Sequence, residues 1–107
     1  MELNYNRVHL CGQAADIPTL SHVNHGCAFY RFTLSVLRLS GQADKLPVII
    51  PKTLLDAVPV TEGGTVTVIG QLRSFNNKSG QGSRLVISVF AHQLMPGGES
   101  PFNQIQL

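Results

Sequence analysis

The stretch GCAFYRFTLSVLRL, residues 26–39, decides how the chain is read. Its side chains alternate with a period of two, the repeat of a β-strand that buries one face. Ala28, Tyr30, Phe32, Leu34 and Val36 fall on one side; Phe29, Arg31, Thr33, Ser35 and Leu37 fall on the other. Arg31 interrupts the middle of the strand, and Arg38 sits near its end. No acidic residue in the neighbouring predicted strands is placed to neutralise Arg31, so it is expected to face a polyanion or a subunit interface.

Working outward, four more segments carry strand patterning between turn residues. YNRVHLCGQA (5–14) sets Val8, Leu10 and Gly12 against Arg7, His9 and Cys11. KLPVII (45–50), TVTVIGQLRSF (65–75) and SRLVISVFAHQL (83–94) follow, the last two joined by the polar run NNKSGQG (76–82). DIPTLSHVNHG (16–26) reads as a loop or short edge excursion, because Pro18 lacks a ladder donor and Asn24, His25 and Gly26 favour a turn. Between the third and fourth of the five predicted strands, Pro51 suits a helix start and Pro59 a stop, with Leu54, Leu55 and Val58 sharing a face.

Three strands, a short helix and two strands match the all-β, five-stranded Greek-key barrel called the OB-fold, with the helix between strands three and four. A small sandwich fits the pattern too; a helical bundle or a doubly wound α/β fold does not. The 107 residues suffice for one core, assigned to residues 1–95, with a flexible tail at 96–107 rich in Pro, Gly and polar residues.

Composition narrows the function. Hydrophobic residues make up 43% and charged residues 13%, which favours folding over a disordered charged tail. Eight Lys and Arg against six Asp and Glu permit a polyanionic partner without demanding one. Cys11 and Cys27 are expected to be reduced thiols, and MELNYNRVHL lacks a signal-peptide pattern. No apolar run is long enough for a membrane span, so a cytoplasmic protein is expected.

Catalytic constellations are missing from this reading: EGGT and KSGQGS lack the lysine spacing of a phosphate loop, and Asp56 and Glu62 read as solvated charges. No enzyme activity and no cofactor are expected. Cys11, His22, His25 and Cys27 do not match structural zinc spacing, so no metal site is assigned. A single-strand binder, by contrast, needs cations along a groove and exposed aromatic faces. Arg31, Arg38, Lys45, Arg73, Lys78 and Arg84 fall on the elements that form an OB-fold's binding face, and Phe75 lies at the base of the last hairpin. These seven residues are the candidate nucleic-acid contacts. Arg7, His9 and Cys11, on the outer face of the first strand, are the candidate oligomer interface.

Four segments, in order, resemble the bacterial single-stranded DNA-binding protein (SSB) family: NRVHLCGQAADIPTL (6–20), GCAFYRFTLSVLR (26–38), EGGTVTVIGQLRSF (62–75) and SGQGSRLVISVFAHQL (79–94). The resemblance implies an OB-fold, sequence-independent binding of single-stranded DNA in replication, recombination or repair, and a homodimer or homotetramer built partly through the first strand. Departures point to a short or diverged paralogue. Lys45 and Pro51 stand where the family usually has aromatics, and there is no tryptophan. GGESPFNQIQL (97–107) holds a single acid, which speaks against partner recruitment by an acidic tip. Primosomal accessory proteins are similar in these losses, so the alternative is an oligomerising interaction subunit with weak or lost nucleic-acid binding. An RNA-binding OB domain would differ only in its treatment of 2′-hydroxyls.

Overall fold

The computed structural model describes residues 5–80 and 82–98. Along the chain come β1 (Val8–Ala14), β2 (Thr19–Asn24), β3 (Cys27–Leu37), β4 (Ala43–Pro51), α1 (Lys52–Ala57), β5 (Thr65–Ser79) and β6 (Gly82–Pro96). Strands lie in the order β1-β5-β6-β4-β3-β2, and a further β1–β3 pairing closes the sheet into a barrel. Only β4 and β6 run parallel, at Val48–Val89 and Ile49–Phe90. Closure needs Gly12: β1 pairs with β5 up to Gln13 and with β3 at Gln13 and Ala14. A Cβ at Gly12 would collide with the Ser35 carbonyl across that seam. Glycine at a barrel corner permits this close approach.

The inward faces are those the alternation assigns. Phe32 and Leu34 from β3 join Val48, Ile50, Val66, Val68, Val89 and Ala91 in one buried cluster. Leu54, Leu55 and Val58 of the helix segment pack against it, so α1 plugs one end of the barrel. Its start differs from the expected one. Pro51 ends β4 in extended geometry and serves as the helix N-cap, with no side-chain cap.

Two segments form more strand than the sequence reading required, the first of them at the sheet edge it allowed. DIPTLSHVNHG contains a true strand, β2, whose six residues are all exposed. It forms because β3 offers a ladder, and the two-residue turn His25–Gly26 has positive φ at both positions (51° and 77°), the geometry that matches strand twist. The sheet therefore has six strands. The run Asn76–Ser79 is paired strand, with register continuing to Ser79–Gly82, so the hairpin arm reaches further from the barrel than a loop at 76–82 would. β6 continues to Pro96, one residue past the assigned domain boundary, and residues 99–107 of the expected tail lie outside the described residues.

Candidate nucleic-acid interface

Directly opposed residues in an antiparallel pair project to the same face. Arg31 lies opposite Thr19 on one side and Ile49 on the other, Ser35 opposite Lys45, and Phe29 opposite Pro51. Ile49 pairs with Phe90, Phe90 with Gln71, Ser88 with Arg73, Val86 with Phe75 and Arg84 with Asn77. Arg31, Lys45, Arg73, Phe75 and Arg84 therefore share the outer face of the barrel.

Across this face runs a band of planar groups. The His22 and Phe29 rings stack at 4.9 Å and 10°. Phe29 meets Phe90 at 5.8 Å in a tilted contact. The Arg73 guanidinium lies 4.1 Å from the centre of the Phe90 ring, a cation–π arrangement. The Gln71 side-chain oxygen, in the amide orientation that satisfies both groups, accepts from Arg73 Nη2 at 2.8 Å and Nε at 2.9 Å. Ile49, beneath the band in register, is only 6% exposed although it faces outward. Phe75 is 50% exposed further along the hairpin arm. Such a surface offers π faces and a flat guanidinium, with cations at its margins.

Charge is distributed unevenly among the candidates. Arg38 is not free: Nη2 and Nε donate to the two Asp44 carboxylate oxygens at 2.6 and 2.8 Å. That hydrogen-bonded pair raises the Arg38 pKa and lowers that of Asp44. It spans the β3–β4 turn, where Arg38 N–H also donates to the Gln42 carbonyl. The geometry thus gives Arg38 a turn-closing contact, with which any phosphate contact would have to compete. The second ion pair among the described residues is Lys52–Asp56, one helical turn apart. Arg31, Lys45, Arg73 and Arg84 make no ion pair among the described residues. Lys78 lies in β5 opposite Ser83, and its side chain lies outside the described residues.

Of the candidate oligomer residues, Arg7 precedes β1, while His9 and Cys11 sit on its outer side, opposite Ile69 and Thr67. His9 is exposed, whereas Cys11 is half-buried against Gly98, where a side chain would strike its sulfur. Both cysteines are free thiols. No group of three His, Cys, Asp or Glu that could hold a metal comes together among the described residues. No helix there is long and apolar enough to cross a membrane.

Sequence reasoning placed Phe29 on the outer face but did not single it out, and it missed His22 and Phe90. Phe29 had a signal, its position beside Arg31 in the alternation. Phe90 had none, since only the parallel β4–β6 pairing carries it to the band.

A closed barrel of this topology with a plugging helix and an open outer face is an OB-fold. No family model and no curated protein sequence matches the chain. Among solved structures, the dimeric N-terminal domain of the PriB protein from Thermoanaerobacter tencongensis is similar at 35% identity and a TM-score of 0.76, covering 88% of this chain and 98% of that one. The Plasmodium falciparum SSB in complex with ssDNA shares the fold at 15% identity and a TM-score of 0.74, covering 90% and 97%. The chain belongs to the SSB-like family of OB-fold proteins that includes PriB.

Proposed function

We propose that this protein binds single-stranded DNA without sequence preference, as a homo-oligomer, in replication, recombination or repair, and catalyses no reaction. The observation that carries the reading is the band from His22 through Phe29 and Phe90 to Arg73. Any base has a π face, so stacking on rings and on a guanidinium plane holds a strand without reading its sequence. Arg31, Lys45, Arg73 and Arg84 neutralise phosphates beside it. No base edge is read in this arrangement, which is why the binding is general.

Assembly as a dimer is supported by the 35% identical PriB domain, which is dimeric, and by the edge of β1. Residues 8–12 pair on one side with β5, while the pairing with β3 starts only at Gln13, leaving the other edge open to a second copy. The proposed setting is the cytoplasm, where replication exposes single strands.

The second reading, an oligomerising interaction subunit, is favoured by the exposed apolar side chains Leu72, Leu85 and Ile87 on the hairpin arm. Fluorescence-anisotropy titration with oligo-dT at two salt concentrations separates the two. Saturable binding weakened by salt is expected; no binding even at low salt hands the function to the interaction subunit.

A further inference from the structure

At the end of the outer face, past Gln71, lies a groove of about 630 Å³. Tyr5, Arg7, Gln71, His92 and Gln93 line it, with Ile69 and Gly70 as part of its wall. That volume falls in the range of pockets that hold small ligands, roughly 300–1,000 Å³. Its chemistry is also specific in kind. The Tyr5 and His92 rings offer stacking faces, the Arg7 guanidinium a phosphate partner and Gln93 a polar carboxamide, while the Gln71 carboxamide is already engaged by Arg73.

The groove is built, since its outer wall is pinned. The Asn6 carboxamide imitates a strand neighbour: Nδ2 donates to the Leu72 carbonyl at 2.7 Å, and Oδ1 accepts from the Leu72 N–H at 2.9 Å. This pair of hydrogen bonds to the edge of β5 anchors Asn6, and with it the backbone between Tyr5 and Arg7. Tyr5 is 85% exposed, so its ring is not used in packing and is open to a ligand. Gln71 belongs both to the groove and to the band, where it holds Arg73 over Phe90.

We propose that this groove is a further nucleotide subsite, reached by the same DNA strand after it crosses the band, with Tyr5 stacking on a base and Arg7 pairing with a phosphate. The proposal rests on the single-strand-binding reading above. It assigns Arg7 to the strand, not to the oligomer interface. The competing occupant is a second copy of the chain seated against the segment before β1.

The experiment compares the wild-type full chain with Tyr5→Ala, Tyr5→Phe and Arg7→Ala on oligo-dT of about 5 and about 15 nucleotides, bracketing the span one OB-fold covers. Light scattering on each variant accompanies the titrations. Tyr5→Ala should weaken binding of the longer strand about five- to a hundredfold, the value of one lost stack, and leave the shorter one nearly unchanged. Tyr5→Phe should restore binding, and a photo-crosslinkable iodouracil strand should label Tyr5. If wild type binds and Tyr5→Ala binds both lengths equally well, the subsite is wrong while the band survives. A Tyr5→Ala that changes the oligomeric mass but keeps its affinity per protomer gives the groove to a second copy and overturns the proposal. Failure of wild type to bind either strand removes both readings together.

Discussion

The Arg73 guanidinium carbon sits 4.1 Å from the centre of the Phe90 ring on the adjacent strand, and Gln71 holds it there by two hydrogen bonds. Stacking is thereby shared between two side chains. Phe90 supplies the π face on which the Arg73 guanidinium rests, and Arg73 itself is exposed. Removing the ring should therefore disturb both.

Phe90→Leu keeps apolar volume but loses the ring. Single-strand affinity should fall by about 1–3 kcal/mol, the range for one lost aromatic stack. Thermal melting should shift little, because a hydrophobic swap of similar volume is usually tolerated within about 1.5 kcal/mol. Arg73→Lys should retain the salt dependence and lose part of the affinity, since an ammonium has charge without a plane. A Phe90→Leu protein that binds oligo-dT like wild type would remove the band from the binding surface.

How much of this was legible follows from which residues carry local signals. The barrel strands announce themselves because each buries alternate residues, as Phe32 and Leu34 do. β2 buries none of its six residues, so nothing in its composition marks a strand; the ladder from β3 makes it one. Asn76–Ser79 reads as loop because it is polar throughout, and the pairing with β6 makes it strand. Among the candidate site residues, the cations are picked out by their places on predicted elements. The Arg38–Asp44 pair had no signal in the alternation, because the turn geometry brings Asp44 within reach of the guanidinium. Phe90 and His22 depend on contacts between distant strands, which no periodicity encodes.

Gly12 tests the closure of the barrel. A methyl group there would run into the Ser35 backbone carbonyl, which cannot swing away as a side-chain tip could. Gly12→Ala should lower stability by about 1–3 kcal/mol or more, as overpacking does. Gly80→Ala is the control, since its added carbon meets nothing within 4 Å. Equal melting temperatures for the two variants would show that β1 has room at the seam.

Acid should loosen the β3–β4 turn. The side-chain hydrogen bond from Arg38 pulls the Asp44 pKa below its ordinary 3.8, so folding favours the ionised carboxylate. The pair's contribution is then fully present above that ordinary value and is lost as pH falls through the lower folded one. Both groups are exposed, so salt weakens the effect. Carbon-detected NMR titration should give an Asp44 midpoint under 3.8 in wild type and a return to the ordinary value in Arg38→Ala. An Asp44 that titrates normally in wild type would mean that the pair does not hold in solution.

The same pair makes salt dependence a test of which cations touch DNA. Each phosphate neutralised on a single strand contributes a log–log slope of about −0.7. With Arg31, Lys45, Arg73 and Arg84 engaged, the wild-type slope should be near −3, and Arg31→Ala should lessen it by about 0.7. Arg38→Ala should change the slope little, because Asp44 already occupies that guanidinium. Asp44→Asn should release it: affinity should rise at low salt and the slope should steepen toward about −3.5. Lys78→Ala then asks separately whether the arm adds another contact. If Arg38→Ala flattens the slope as much as Arg31→Ala does, Arg38 leaves its carboxylate for the phosphate, and the turn pair is a resting arrangement of the unbound protein. Tight binding with almost no salt dependence would assign the affinity to the rings of the band, with the four cations as bystanders.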